Sequence, residues 1–196
     1  MSLPARSEPP ARDDPAVYSP AERALLLRTA HQAIAAAFTE QQFLALPEAK
    51  ALPPALNEPR GAFTTLHLEG RLRGCVGYIA ALKPLIQTVA ETAVSAAFYD
   101  PRFPPVTPNE APHLQIEISV LTLPQPIRPG EIVPGKHGLI VALGPRRGLL
   151  LPQVASEHGW DAETFLAQTC VKAGLPPDAW QKGATLEGFT AEVFGE

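Results

Sequence analysis

The stretch Ala62–Ile79, AFTTLHLEGRLRGCVGYI, decides what kind of sheet this chain builds. Phe63 to Leu68 is rich in β-prone residues, and Arg71 to Ile79 runs back toward them. Glu69-Gly70 between the two runs suits a two-residue hairpin turn, because such turns need backbone that glycine adopts without strain. The stretch predicts an antiparallel hairpin rather than a strand awaiting a helical crossover. With a two-residue turn, Leu68 faces Arg71, Leu66 faces Arg73 and Thr64 faces Cys75. Arg71, Arg73 and Cys75 then share one face by the two-residue period. Gly74 and Gly77 weaken the return strand and mark a place for a bulge.

The flanking segments alternate between helical and strand periods. SPAERALLLRTAHQAIAAAF opens with Ser19, Pro20 and Glu22, a capping box with proline in the first turn, and then repeats Leu26, Ala30, Ala33, Ile34 and Ala37 on one helical face. KPLIQTVAETAVSAAF starts at Pro84 and lines up Ile86, Val89, Ala90, Ala93, Val94 and Ala97. HLQIEISVLTL alternates, with Leu114, Ile116, Ile118 and Val120 on a buried face and Gln115, Glu117 and Ser119 on a polar one. LIVAL and LLLPQVA flank GPRRG and read as a second hairpin with Arg146 and Arg147 at its tip. WDAETFLAQTCVKAGL is a third helix, capped by Asp161 and ended by Gly174, with Phe165, Leu166, Thr169, Cys170 and Ala173 facing the core. Phe189, Ala191 and Val193 alternate in a closing strand. Most of the 23 prolines lie between these segments and mark where elements stop, so the two long proline-rich stretches 43–61 and 124–138 read as loops. Helices and antiparallel hairpins without βαβ regularity predict an α+β fold.

Bulk properties bound the function. A net charge of −4 argues against broad nucleic-acid binding, which needs many unopposed cations. No apolar run approaches the ~18 residues of a membrane-spanning helix, and the first residues lack the apolar core of a signal peptide. Residues 1–17 read as a disordered, proline-rich lead-in and residues 18–196 as a single domain. Two distant cysteines, Cys75 and Cys170, read as reduced thiols of a cytoplasmic protein. Cys170, on the apolar face of a helix, reads as core packing. Nucleotide-loop, zinc and hydrolase signatures are absent, so no cofactor and no metal is expected.

Three clusters carry potential chemistry. In the first, Arg71 and Arg73 stand beside Cys75, where cations lower a thiol's pKa, and Gly74 and Gly77 allow close approach of a ligand or of another backbone. The same residues also read as a β-bulge around a small buried cysteine. The second is Tyr99, Asp100, Arg102 and Phe103, either a carboxylate–guanidinium lock on a loop or a seat for an anion on Arg102. The third joins Cys75 as nucleophile with His137 as base and Glu117 as orienting carboxylate, against the alternative of a solvated glutamate facing off the sheet.

The order of these segments resembles the AMMECR family. LRGCVG at Leu72–Gly77 is similar to the family's signature, with Val76 where isoleucine is usual. AAFYDPRFPPV, IEISVLT, GKHGLIV, GLLLPQVA and FLAQTCVKAGL follow in the family's order, so the resemblance covers the chain from Ser19 onward. It implies an α+β fold with a larger and a smaller lobe around a cleft that bears the signature. It carries motif positions rather than an assigned reaction: Arg73, Gly74, Cys75 and Gly77, then Asp100 and Arg102, then Glu117, then His137. It also implies MEMO-like and radical S-adenosylmethionine proteins as partners, by likeness to protein A of the AmmeMemoRadiSam system. Two functions follow as expectations: a thiol-dependent enzyme or partner of one, and a non-catalytic module that binds an anionic small molecule, nucleic acid or a partner protein.

Overall fold

The computed structural model describes residues 18–39 and 44–196, so the proline-rich lead-in lies outside the described residues. Helix α1 spans Pro20–Ala36 and begins as its sequence dictates. Ser19 Oγ accepts from the Glu22 N–H at 3.3 Å, and the Glu22 carboxylate accepts from the Ser19 N–H at 2.8 Å. Its buried stripe is Leu26, Thr29, Ala30, Ala33 and Ile34. The following proline-rich stretch is not wholly loop: it holds a one-turn helix, α2 (Pro54–Asn57), which seats Leu56 in the core.

Strands β1 (Ala62–Leu68) and β2 (Arg71–Tyr78) form the predicted hairpin. Glu69 and Gly70 both have positive φ, 52° and 72°, which matches the twist of the flanking strands. Leu68 pairs with Arg71 as expected, but the register then slips. Leu66 pairs with Gly74, Thr65 with Cys75 and Thr64 with Val76, which leaves Arg73 as the extra residue of a bulge. The expected pairs Leu66–Arg73 and Thr64–Cys75 are therefore corrected, and Arg71, Arg73 and Cys75 do not form one row. The cause is helix α3 (Leu85–Phe98), which packs on the face carrying Thr64 and Leu66. A Cβ on Gly74 would lie 2.1 Å from the Ala96 carbonyl oxygen, so only glycine fits opposite Leu66. The slip that brings Gly74 to this position turns Cys75 to the opposite face.

Strand β3 (Leu114–Leu121) pairs with β1, and β8 (Ala191–Gly195) pairs with β3, giving an antiparallel sheet in the order β2-β1-β3-β8. Helices α1 and α3 cover one face over a core that includes Leu26, Ile34, Leu66, Val89, Ile116 and Ile118. Buried Thr64 and Thr92 hydroxyls hydrogen-bond across this interface at 2.8 Å.

The second sheet is also antiparallel, in the order β4-β7-β5-β6. Its strands are β4 (Gln125–Pro126), β5 (Gly138–Leu143), β6 (Arg146–Leu150) and β7 (Thr185–Phe189). LLLPQVA is only in part a strand: it stops at Leu150, and α4 (Pro152–His158) begins with Pro152 in its first turn. Helix α5 (Ala162–Lys172) is capped by Asp161, which accepts from the Thr164 N–H at 2.8 Å, and packs on β5 and β6 through Phe165, Leu166 and Cys170. The chain passes between sheets through Thr190, whose N–H donates to Thr122 Oγ1 at 2.9 Å while its carbonyl accepts from the Thr122 N–H at 2.9 Å. There Leu121, Ile140 and Phe189 pack with Phe63, Ile79, Leu149 and Leu151. This junction also buries Ser119 and Leu121, so β3 has apolar cover on both faces at this end instead of one buried face throughout.

Candidate functional site

Cys75 lies half-buried on the face of the first sheet opposite α3. All of its hydrogen bonds go to three residues. Thr65, its cross-strand neighbour, donates its hydroxyl to the sulfur at 3.3 Å. Asp100 Oδ2 accepts the Cys75 N–H at 2.9 Å. Arg102 Nη2 donates to the Cys75 carbonyl at 3.2 Å. The thiol thus sits between a hydroxyl donor and a guanidinium.

Asp100 organises this arrangement. Its side chain is only 3% exposed, and besides Cys75 it accepts from the Arg102 backbone N–H at 3.1 Å, Nε at 2.9 Å and Nη2 at 2.7 Å. Hydrogen bonds from the Arg102 side chain hold the Asp100 carboxyl well below the usual carboxylate range, against the opposing effect of burial. The Arg102 guanidinium is in turn pushed up, first by Asp100 and to a smaller extent by the Cys75 side chain beside it. Arg102 remains 55% exposed, and its Nη1 donates to no oxygen among the described residues. The loop lock expected from the sequence is present: Asp100 fixes one edge of the guanidinium, and the Arg102 side chain stays more than half exposed.

The other expected site residues divide. Arg73 grips Glu110 with Nε and Nη2 at 3.0 and 3.1 Å and donates to the Pro104 and Pro105 carbonyls at 2.8 and 3.2 Å. Four of its five guanidinium N–H groups are engaged and its side chain is only 11% exposed, so where the sequence suggested an anion contact the structure has a lock on the loop beside β2. Glu110, which the sequence reading did not single out, has its carboxyl drawn down to about 2, first by Arg73 and then by the Thr107 backbone. Gly74 is buried against α3 and leaves no room for a ligand. Gly77 is glycine because the Phe63 ring lies where its Cβ would be, at 2.2 Å, while its backbone lines a cavity. Glu117 shares one row with Cys75, with Thr65 between them, which sets the two backbones about 10 Å apart. The Glu117 side chain makes no hydrogen bond or ion pair among the described residues. His137 belongs to the other sheet, just before β5, where its Nδ1 accepts from the Val133 N–H at 3.1 Å. Two members of the Cys75–Glu117–His137 set therefore share a face, and the third is held by its own loop. Among the described residues no group of three or more His, Cys, Asp or Glu side chains is arranged to hold a metal ion.

The cavity has a volume of about 830 Å³ and lies at the C-terminal end of β2, where Gly77, Tyr78 and the segment after them meet α3 and the second-sheet residues Arg147 and Glu187. Phe63, Tyr78, Ile79, Leu82 and Leu123 supply apolar walls. Two ion pairs, Lys83–Glu91 at 2.7 Å and Arg147–Glu187 at 3.2 Å, stand on its rim. Leu82 lies in the short segment between β2 and α3, and Leu123, expected within the strand HLQIEISVLTL, lies just past the end of β3. The signal was their exposure: Leu82 is 83% exposed in a short linker that otherwise gives it no reason to be apolar.

No helix among the described residues is long and apolar enough to cross a membrane. A profile of the AMMECR1 family matches residues 25–194. A protein of Methanothermobacter thermautotrophicus is 46% identical over 190 residues, covering 91% of this chain and 98% of that one. A protein of Methanocaldococcus jannaschii is 46% identical over 157 residues, covering 75% and 78% of the two chains. The crystal structure of an uncharacterised protein from Pyrococcus horikoshii superposes with a TM-score of 0.77 at 43% identity, covering 87% of this chain and 89% of that one. With helices on two antiparallel sheets, the LRGCVG signature on β2 and this match across nearly its whole length, the chain belongs to the AMMECR1 family.

Proposed function

We propose that Cys75 is the nucleophile of a thiol-centred site that takes a small anionic molecule, with Arg102 as its anion-binding residue. One observation carries the reading: Asp100 fixes Arg102 by three hydrogen bonds beside the Cys75 thiol and leaves Nη1 facing outward. A guanidinium held in this way offers charge to an incoming anion beside the thiol without a rotamer search. Thr65 fixes the sulfur from the other side. A reducing, cytoplasmic setting suits a free thiol in this role. The family resemblance supports MEMO-like and radical S-adenosylmethionine proteins as the partners that supply or consume the molecule.

Alkylation of the folded protein by iodoacetamide tests the reading. Cys75 reacts at least about ten-fold faster than Cys170, which is fully buried and whose thiol is pushed up by that burial. Arg102→Ala slows Cys75 and leaves Cys170 unchanged. Equal, slow labelling of both thiols overturns the nucleophile. A second reading, a binding module without thiol chemistry, is favoured by one observation: among the described residues no carboxylate or imidazole hydrogen-bonds to the Cys75 sulfur, and the nearby Asp100 carboxylate is engaged by the Cys75 N–H and by Arg102. That reading predicts that Cys75→Ser retains any anionic ligand while Arg102→Ala loses it.

A further inference from the structure

Strand β2 is the edge of its sheet, and its outward backbone groups have two different fates. In an antiparallel pair, alternate residues point both N–H and C=O away from the partner strand. Cys75 is such a residue, because its N–H goes to Asp100 and its C=O to Arg102 instead of to β1. Gly77 has the same parity, so its N–H and C=O point the same way. Among the described residues no loop or side chain hydrogen-bonds to them, and Gly77 lines the cavity. At Cys75 a carboxylate and a guanidinium imitate the acceptor and donor of a neighbouring strand, and at Gly77 the position stands open. Around it Tyr78, Leu82 and Leu123 keep much of their apolar surface exposed, at 40%, 83% and 50%.

We propose that this edge receives the extended C-terminal end of a polypeptide, paired antiparallel to β2 at Gly77, with its terminal carboxylate on Arg102 and its apolar side chains in the cavity. Three features select this occupant. Strand addition needs an open donor–acceptor pair flanked by pockets for side chains, which Gly77 and the cavity walls supply. The added chain cannot continue past Cys75, because Asp100 and Arg102 already fill that register, so it must end there. An antiparallel partner runs from Gly77 toward Cys75 in its own N-to-C direction, and the end it brings to the free edge of Arg102 is a carboxylate, the matching charge. The two registers are about 7 Å apart, roughly two residues, so the residue opposite Gly77 is the last or next to last. The seat of the carboxylate rests on Arg102 as the anion-binding residue; the pairing at Gly77 does not.

The test uses the full chain carrying Cys75→Ser, so that thiol chemistry plays no part. A positional-scanning set of N-acetylated tetrapeptides with free C-termini is added, and the same set amidated serves as control. Amide and guanidinium NMR signals are followed. At least one subset is expected to saturate and to move the Gly77 N–H and Arg102 Nε–H signals together. Amidation is expected to weaken it by about ten-fold or more. Leu82→Asp and Leu123→Asp, at exposed positions that leave the rest of the spectrum in place, weaken it similarly. The proposal is overturned if no subset moves Gly77 at millimolar concentration, or if amidated peptides bind as well. It also falls if hexanoate binds as tightly as any peptide, an outcome that leaves Arg102 as a seat for small anions and removes only the polypeptide.

Discussion

Gly74→Ala tests the central claim about the hairpin, that the bulge exists because α3 lies directly on β2. The added Cβ would sit 2.1 Å from the Ala96 carbonyl oxygen, 1.3 Å short of the 3.4 Å at which ordinary contact begins. The obstacle is backbone, in the last turn of α3, so no rotamer change relieves it. Either α3 lifts by about an ångström, which forfeits a quarter to a half of the dispersion energy along that contact, or the bulge shifts and carries Cys75 with it. Overpacking of this kind costs about 1–3 kcal/mol and sometimes more, and a backbone obstacle puts this case at about 3 kcal/mol. That corresponds to roughly 6–12 °C in Tm for a chain of this length. Two controls isolate the cause. Gly70→Ala meets nothing within 4 Å but has a φ of 72°, so it costs about 1–2 kcal/mol through backbone strain alone. Gly130→Ala has neither clash nor positive φ and stays within about 0.5 kcal/mol of the parent. Urea unfolding followed by far-ultraviolet circular dichroism and by tryptophan fluorescence is the assay. Trp160 and Trp180 both pack in the second sheet's core, so coincident transitions show that the two sheets unfold together and license the comparison. A Gly74→Ala midpoint above that of Gly70→Ala refutes the reasoning.

Two further outcomes follow from the same geometry. Thr92→Val strands the buried Thr64 hydroxyl and costs about 1–3 kcal/mol, whereas Thr64→Val with Thr92→Val removes both groups and costs less than Thr92→Val alone; a double variant at least as damaged as Thr92→Val refutes the pairing. Asp100 and Glu110 both have folded-state carboxyls below their ordinary values of 3.8 and 4.5, so the stability they contribute is complete above about pH 5 and is lost as pH falls through about 2 and lower. Replacing Asp100 with Asn should flatten the acid limb of a stability–pH curve, and an unchanged limb would show that the Arg102 grip contributes nothing to folding.

What the sequence disclosed was what local periodicity encodes. The Ser19–Glu22 box, the Asp161 cap, the Glu69-Gly70 turn and the buried alternation from Leu114 to Val120 each depend on residues a few places apart, and each stands in the structure. The α+β class followed from their order. What stayed hidden depends on distant partners. The register slip at Arg73 is imposed by Ala96 on another element, and Arg73 looked available because Glu110 lies 37 residues away. In LLLPQVA the apolar run concealed a helix start that Pro152 marked, since proline suits a first turn and not a paired strand. Asp100 and Arg102 were recognisable as a pair, but nothing local showed that their joint target is the backbone and thiol of Cys75.

That target explains why the family signature combines an arginine, two glycines and a cysteine on an edge strand. An uncovered edge is a template for unwanted pairing, and a sheet needs a device to close it. Here the closure is a loop, pinned by Arg73 to Glu110 and ending in the Asp100–Arg102 pair, and it covers β2 only as far as Cys75. Gly74 admits the helix that supports the strand from beneath, and Gly77 admits the Phe63 ring that joins it to the second sheet. Both glycines serve packing, so their presence alone does not argue for a ligand. Packing stops beyond Cys75. There the outward backbone of Gly77 has no hydrogen-bond partner among the described residues and reaches an apolar cavity, and the last group of the closing device is a guanidinium with one edge free. In the proposed site, that free edge is what meets an incoming anion at the end of the open strand.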